Sequence, residues 1–545
     1  MRQRRRQAGL AVAALLAVAL AFRAAPLYWS AYPSTLDGFG HAARAQTMVA
    51  TGTIPLTGRA DQLFFSTLLA TVGLVVDADP LRVTQPVATA VGAGICLFGV
   101  AIARQVVTES DISVNPSFVG IAAAGLLAIE GLFLRRTSVP DEDIVGLLFV
   151  ILVAVALHYA YRTGQLRWYG ITGIVLGFFP LLHTFTSFIV ALVITGLTAR
   201  HVSRNLSARS LVSGLVIAGG FWGWIAAYYW TAATLLPFVI PYVDRVTAYP
   251  GLFVAWVIVL VVGVVWVQRT GRRIRQTVYV GVVGIFFTIV VLNAFTSVFP
   301  GTASTPQVVL TLVSLLLLLA LSAAPSLDII GEYHSGALLV ALFGAPAVII
   351  GFSLTASLTA EYFATAMRAQ TFLHLPVVVV GAVTLVRLLK TGGRTRVRRA
   401  ARVVVAIVVV VATIATAPLA VMNMDTASVP STTLESEYEG VAFASTQHDQ
   451  WATDHSLSRV GQLSFAANAT LGPVASWLSG GPAPRCPVVS QRSWTTTGAH
   501  LFPSGPETVP SATYDQWLSS RNVVYTANGL DPVVVSQPMN ETGGC

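Results

Sequence analysis

From residue 8 onward the chain returns repeatedly to apolar runs long enough to cross the ~30 Å of a bilayer's hydrocarbon core. After a first run over 8–29 they fall at 84–103, 117–134, 144–161, 169–199, 211–230, 251–268, 277–298, 307–323, 336–356, 371–389 and 402–422. The 545 residues are 54% hydrophobic and 10% charged, whereas a soluble domain carries about 25% charged residues. A water-soluble globule is therefore excluded, and the chain reads as a polytopic α-helical membrane protein. The first run follows MRQRRR, as in a cleaved secretory signal. Because apolar character resumes through Ala24 to Trp29, it reads instead as a helix that spans the membrane. The stretch 62–76 is short and suits an interfacial helix. The 31 residues of 169–199 are too many for one upright helix, and Pro180 breaks them near the middle. Counted as two short crossings, they bring the total to about thirteen transmembrane helices.

Charge distribution sets the orientation. With thirteen crossings and the N-terminus in the cytoplasm, the inner loops hold 21 basic residues and the outer side of the membrane part holds 8. A single crossing at 169–199 would place RTGRRIR and KTGGRTRVRRAAR outside, against the positive-inside rule. The excess of basic residues thus belongs to inner loops and implies no nucleic acid. Residues 1–422 read as the membrane domain of a multi-pass cell-membrane protein. Residues 423–545, with four arginines against ten acids, read as a small extracellular α/β or α+β domain. Within it GVAFASTQHDQW suggests a helix, and NVVYTA and PVVVSQ suggest strands. Cys486 and Cys545 lie in this tail, where an oxidising exterior would allow a disulfide. Asn468 and Asn540 stand in Asn-x-Ser/Thr sites there, while Asn205 falls in an inner loop. No internal repeat is visible.

On the expected outer face, ionisable residues fall in four places separate in sequence. Polar groups at this depth are costly, which makes function the default reading. The first is LDGFGHAARAQTMVATGTIP (36–55), whose helical spacing puts Asp37, His41 and Arg44 on one face. Moving a sugar to a hydroxyl requires a base near the acceptor proton, and Asp37 at a helix start supplies one; an N-cap role is the alternative. The second is Asp141, Glu142 and Asp143 at the start of the fourth span, where the helix dipole alone would favour acids. As functional groups, Asp141 or Asp143 would bind sugar hydroxyls or a hard divalent cation such as Mg or Mn. The third is His183, beside aromatics, and the fourth Arg368, whose forked guanidinium suits a phosphate. A packed structural imidazole and a snorkelling arginine are their plainer readings.

These residues together resemble the GT-C superfamily of integral membrane glycosyltransferases, which take sugars from polyprenyl-phosphate or polyprenyl-diphosphate carriers. Asp37, His41, Arg44, Gly52 and Pro55 are similar to the first-loop pattern of archaeal oligosaccharyltransferase catalytic subunits, and RRTSVPDED is placed like their second acidic motif. The tail has no WWDYG signature, and FPGTAST, between spans nine and ten, is too short to be their long mobile loop. The resemblance then implies transfer of one sugar, mannose, from a dolichyl-phosphate donor to a glycan or glycoprotein acceptor. Asp37 would be the catalytic base, Arg368 the phosphate holder, and Asp141 or Asp143 the sugar or metal contact. En bloc transfer of a whole lipid-linked glycan, or flipping of such a lipid, are the competing activities.

Overall fold

The computed structural model describes residues 2–55, 62–110, 112–236, 240–300, 302, 304–332, 334, 336–390, 396–421, 432–502, 505–539 and 545. The membrane part runs α1 (Arg2–Arg23), α2 (Leu36–Thr51), α3 (Leu63–Val76), α4 (Pro80–Thr108), α5 (Pro116–Ile129), α6 (Gly131–Ser138), α7 (Glu142–Thr163), α8 (Leu166–Leu182) and α9 (Thr184–Arg204). It continues with α10 (Ala208–Leu235), α11 (Pro241–Ala248), α12 (Pro250–Arg269), α13 (Arg272–Phe295), α14 (Gln307–Ser322), α15 (Asp328–Glu332), α16 (Gly336–Ala356), α17 (Ala360–Lys390) and α18 (Arg396–Ala415). Every apolar run read from the sequence is helical. Among the described residues ten helices are long and apolar enough to cross a membrane, or eleven if α5 and α6, bent by 70°, form one span. The apolar part of α1 and the whole of α8 are shorter, which accounts for the difference from thirteen. The chain is a multi-pass membrane protein.

The expected break within 169–199 occurs, but at His183 and not at Pro180. Pro180 is carried inside α8, and His183 takes an extended backbone that ends α8 and opens α9. The reason is local: Ser187 Oγ donates to the Phe179 and His183 carbonyls, each at 3.0 Å. That bond satisfies a carbonyl left orphaned where α8 stops.

Helices α4, α7, α9, α16 and α17 form the interior, with more than half of each apolar window buried. Helices α10, α12 and α13 present their apolar surface outward, where hydrocarbon solvates it.

The C-terminal region is α+β, with α19 (Glu435–Gln447), β1 (Gln450–Ala452), α20 (His455–Phe465), β2 (Asn468–Thr470), α21 (Gly472–Leu478), β3 (Val488–Gln491), α22 (Ser511–Ser519), β4 (Arg521–Ala527) and β5 (Val533–Pro538). The five strands lie in the order β2-β1-β3-β5-β4, parallel at β2-β1-β3 and antiparallel at β3-β5-β4. The helix and both strands expected from the sequence are present, and Cys486 is bonded to Cys545. Asn468 is exposed at the start of β2; Asn540, the 422/423 boundary and part of FPGTAST lie outside the described residues. The core around Trp451 and Val441 continues into Phe39, Ala42 and Leu81 of the membrane part, and Tyr32 stacks on Tyr438 at 4.1 Å. Apolar contact thus seats the C-terminal region on α2.

Glu437, in the first turn of α19, is buried and accepts from the Leu434 N–H at 2.8 Å and from Gln491 at 2.5 Å. Burial pushes its carboxyl up to about 8, with Asp454 and Asp531 adding to the effect against those hydrogen bonds. The folded state therefore keeps a proton that the unfolded chain releases above its ordinary carboxyl value. The stability this group contributes is full below about pH 4.5, falls as pH rises, and is gone above about pH 8. Thermal scans of the C-terminal region should show a lower Tm at pH 9 than at pH 6, and Glu437→Gln should flatten that difference.

Candidate functional site

Two close approaches assemble the site. Thr35 caps α2 by accepting from the Gly38 N–H at 3.4 Å and donates to the Pro140 carbonyl at 3.3 Å. A Cβ at Gly38 would lie 2.6 Å from Pro33 and 2.8 Å from Pro140, so only glycine lets the start of α2 press against the residue before Asp141. Asp37 is consequently a first-turn residue, exposed, and the cap is Thr35. At the second approach, a Cβ on Gly146 would fall 2.4 Å from the Thr186 side chain. The first turns of α7 and α9 therefore touch, which brings Asp143 to His183.

The four places separated in sequence converge on this point. His41, buried one turn below Asp37, reaches Glu142 Oε2 with Nε2 at 2.7 Å and Ser66 Oγ with Nδ1 at 3.2 Å. Glu142 Oε1 accepts from Gln62 at 2.6 Å and lies 3.3 Å from His183 Nε2. His183 Nδ1 lies 2.7 Å from Asp143 Oδ1, and Arg368 Nη1 lies 3.5 Å from Asp143 Oδ2. Arg44 stands one step out: it donates to the Gly40 carbonyl at 3.2 Å and to Gln62 Oε1 at 2.9 Å, holding the amide that bonds Glu142.

Three adjacent acids in a buried place cannot all ionise cheaply. Burial, then the Glu142 and Asp143 charges, raise the Asp141 carboxyl well above the usual range. Burial and the Arg44 charge bring His41 down to about 4, against the pull of Asp141 and Asp37. Asp141 Oδ1 is buried without a hydrogen-bond partner among the described residues. His41, Asp141 and Glu142 each offer one atom within 4.8 Å of the others. An imidazole with two carboxylates is a donor set that fits a divalent cation, and the orphaned oxygen is the kind of group such an ion would satisfy. Asp143, expected beside Asp141 as a ligand, faces His183 and Arg368 instead; alternate positions on the first helical turn point in different directions.

Four neighbours escaped the sequence reading. Gln62, just before α3, and Ser66, in its first turn, are a lone amide and hydroxyl at an apolar stretch and give no chemical signal. Tyr242 sits edge-on to His183 with ring centroids 5.4 Å apart, and the Arg245 guanidinium lies 4.7 Å from the Tyr242 ring. Arg245 also donates to Thr365 Oγ1 at 2.7 Å, one turn before Arg368. The Tyr-x-x-Arg spacing after Pro241 was the available clue.

No protein-family model matches the chain. No curated protein matches it either. Among solved structures it is similar to the apo oligosaccharyltransferase of Archaeoglobus fulgidus, with TM-score 0.55, 13% identity, and coverage of 90% of this chain and 70% of that one. It is also similar to the oligosaccharyltransferase AglB of that organism in complex with an inhibitory peptide and a dolichol-phosphate, with TM-score 0.50, 13% identity, and coverage of 84% and 64%. The chain thus spans about two thirds of the length of these proteins. At this identity the likeness speaks for the fold alone: the chain shares the fold of these two oligosaccharyltransferase structures.

Proposed function

We propose that the chain is an inverting membrane glycosyltransferase that moves one sugar, mannose, from a dolichyl-phosphate-type carrier to a hydroxyl of a glycan or glycoprotein. The observation that carries this reading is the gathering of the His41–Glu142–His183–Asp143 chain and Arg368 at one end of the bundle, with Asp37 one turn before His41 on α2, beside the seat of the C-terminal region. With the N-terminus cytoplasmic, that end faces outward, residues 1–422 are the catalytic domain and 423–545 an outer domain.

In this mechanism the acceptor oxygen attacks the anomeric carbon as its proton passes to the Asp37 carboxylate. The bond from that carbon to the phosphate oxygen breaks, and the lipid phosphate leaves with the electron pair. One displacement inverts the anomeric centre. Arg368, fixed by Asp143 on one edge, keeps further N–H donors for the departing phosphate. Tyr242 packs edge-on against His183, which Asp143 bridges to Arg368. A divalent cation, Mg or Mn, held by His41, Asp141 and Glu142 would supply neutralising charge for donor oxygens. The carrier's tail would lie along the apolar helices.

The test is transfer by the purified chain in proteoliposomes carrying radiolabelled polyprenyl-phosphate mannose, with surface glycoproteins from a strain deleted for the gene as acceptor. The reading expects label on the acceptor and one lipid phosphate released per sugar moved. Labelled lipid changing leaflet with no label on the acceptor would favour a flippase and overturn it.

A further inference from the structure

The helices that open at the acidic cluster close on a basic one. His158 follows Asp143 on α7, and Arg200 follows His183 near the start of α9, by 15 and 17 residues. At 1.5 Å per residue these side chains lie about 23–26 Å further along the bundle, near its opposite end. There Arg200 is 1% exposed and Arg275, from the first turn of α13, is 8% exposed.

Their partners are neutral dipoles. Arg200 Nη2 donates to the Gly331 carbonyl at 3.0 Å, and the Gln268 amide oxygen, turned toward it, accepts from Nη1 and Nε at 3.0 and 3.2 Å. Arg275 packs on the same Gly331, its guanidinium filling the space a Cβ there would take, yet among the described residues its Nε and Nη1 are buried with no hydrogen-bond partner, as is His158 Nε2. Arg204 adds a third cationic charge that acts on Arg200 together with that of Arg275. Among the residues whose side chains are described, no carboxylate lies within ion-pairing distance of these three arginines. Buried guanidiniums held together against their mutual repulsion, with unused donors, are costly unless an anion joins them.

We propose that Arg200 and Arg275, flanked by Arg204 and His158, form an anion site at this end of the bundle that takes the phosphate of a lipid headgroup. Arginine forks match phosphate oxygens in pairs. The lipid source follows from α13: its apolar window is 6% buried, with Val282 and Ile285 more than half exposed, and it begins beside Arg275. Acyl chains lying on α13 would carry a phosphate to the cluster. The site is independent of the transfer chemistry at the other end.

The test uses the full chain, purified in detergent and stripped of lipid, with native mass spectrometry in dioleoyl phosphatidic acid or in dioleoylglycerol, which has the same tails without phosphate. Wild type should hold one phosphatidic acid and release dioleoylglycerol. Arg275→Gln and Arg200→Gln/Arg275→Gln should weaken the phosphatidic acid adduct at least about tenfold, and exposed Arg269→Gln should leave it unchanged. If the double variant fails to fold, Arg275→Gln still decides, since it removes two donors that bond nothing. Its lipid-stripped Tm should not fall, whereas an arginine that merely braces the fold would lower it. Equal adducts in wild type and Arg275→Gln, or equal retention of the two lipids, would overturn the site. Thermal stabilisation by inorganic phosphate, lost in Arg275→Gln and without a lipid adduct, would overturn the lipid source and assign the arginines to a soluble phosphate.

Discussion

Asp37→Asn should lower the rate of sugar transfer by about 10²–10⁴-fold, the range lost with a positioned general base, and leave the fold intact. The side chain is exposed, and the start of α2 is held by Thr35 and by the approach of Gly38 to Pro140. No packing contact or cap would be lost with the carboxylate. A proteoliposome assay reads the rate, and the thermal unfolding curve of the same preparation reads the fold. Transfer at the wild-type rate would remove Asp37 from the mechanism; lost transfer with a lowered Tm would make it a structural residue.

The second large effect concerns stability. Asp143→Ala removes the carboxylate that stands between His183 and Arg368, 2.7 and 3.5 Å away. His183 is buried while Asp143 and Arg368 are 14% and 26% exposed, so the loss falls between that of an exposed pair and a fully buried one, about 1–3 kcal/mol. Here the anchor of α9's start and that of Arg368 on α17 would go together. Asp143→Asn, which keeps the volume and one acceptor, should cost less. Arg368→Ala in the Asp143→Ala background should recover part of the loss, because the contact is shared. Denaturant titration of the detergent-solubilised protein measures all three. A loss below about 1 kcal/mol for Asp143→Ala would mean that the pair behaves as a solvated surface contact.

Much of this was legible in the sequence because membrane helices declare themselves by length. Each apolar run became helical. The places of Asp37, Asp141 to Asp143, His183 and Arg368 could be read because ionisable groups beside apolar spans are rare. Their mutual geometry could not be. It depends on Gly38 and Gly146, whose role is to be absent as side chains, and no periodicity reports such contacts. Pro180 drew the break three residues early, since a missing N–H suggests a stop whereas the actual stop needs the Ser187 hydroxyl to donate to the freed Phe179 carbonyl. The place of Glu142 as hub was hidden for a related reason. Three acids in a row look equivalent until the pitch of α7 sends Glu142 to His41 and Asp143 to His183. The C-terminal strands β4 and β5 pair as neighbours, but the rest of the order β2-β1-β3-β5-β4 joins segments further apart along the chain, which local pattern does not encode.

Glycan mass spectrometry most directly tests the claim that one sugar is moved from a lipid phosphate. The samples are surface glycoproteins from cells deleted for the gene and complemented with wild type or Asp37→Ala. The account predicts glycans short by a single hexose in the deletion strain, restored by wild type and not by Asp37→Ala. Loss of the whole glycan, or restoration by Asp37→Ala, would contradict it.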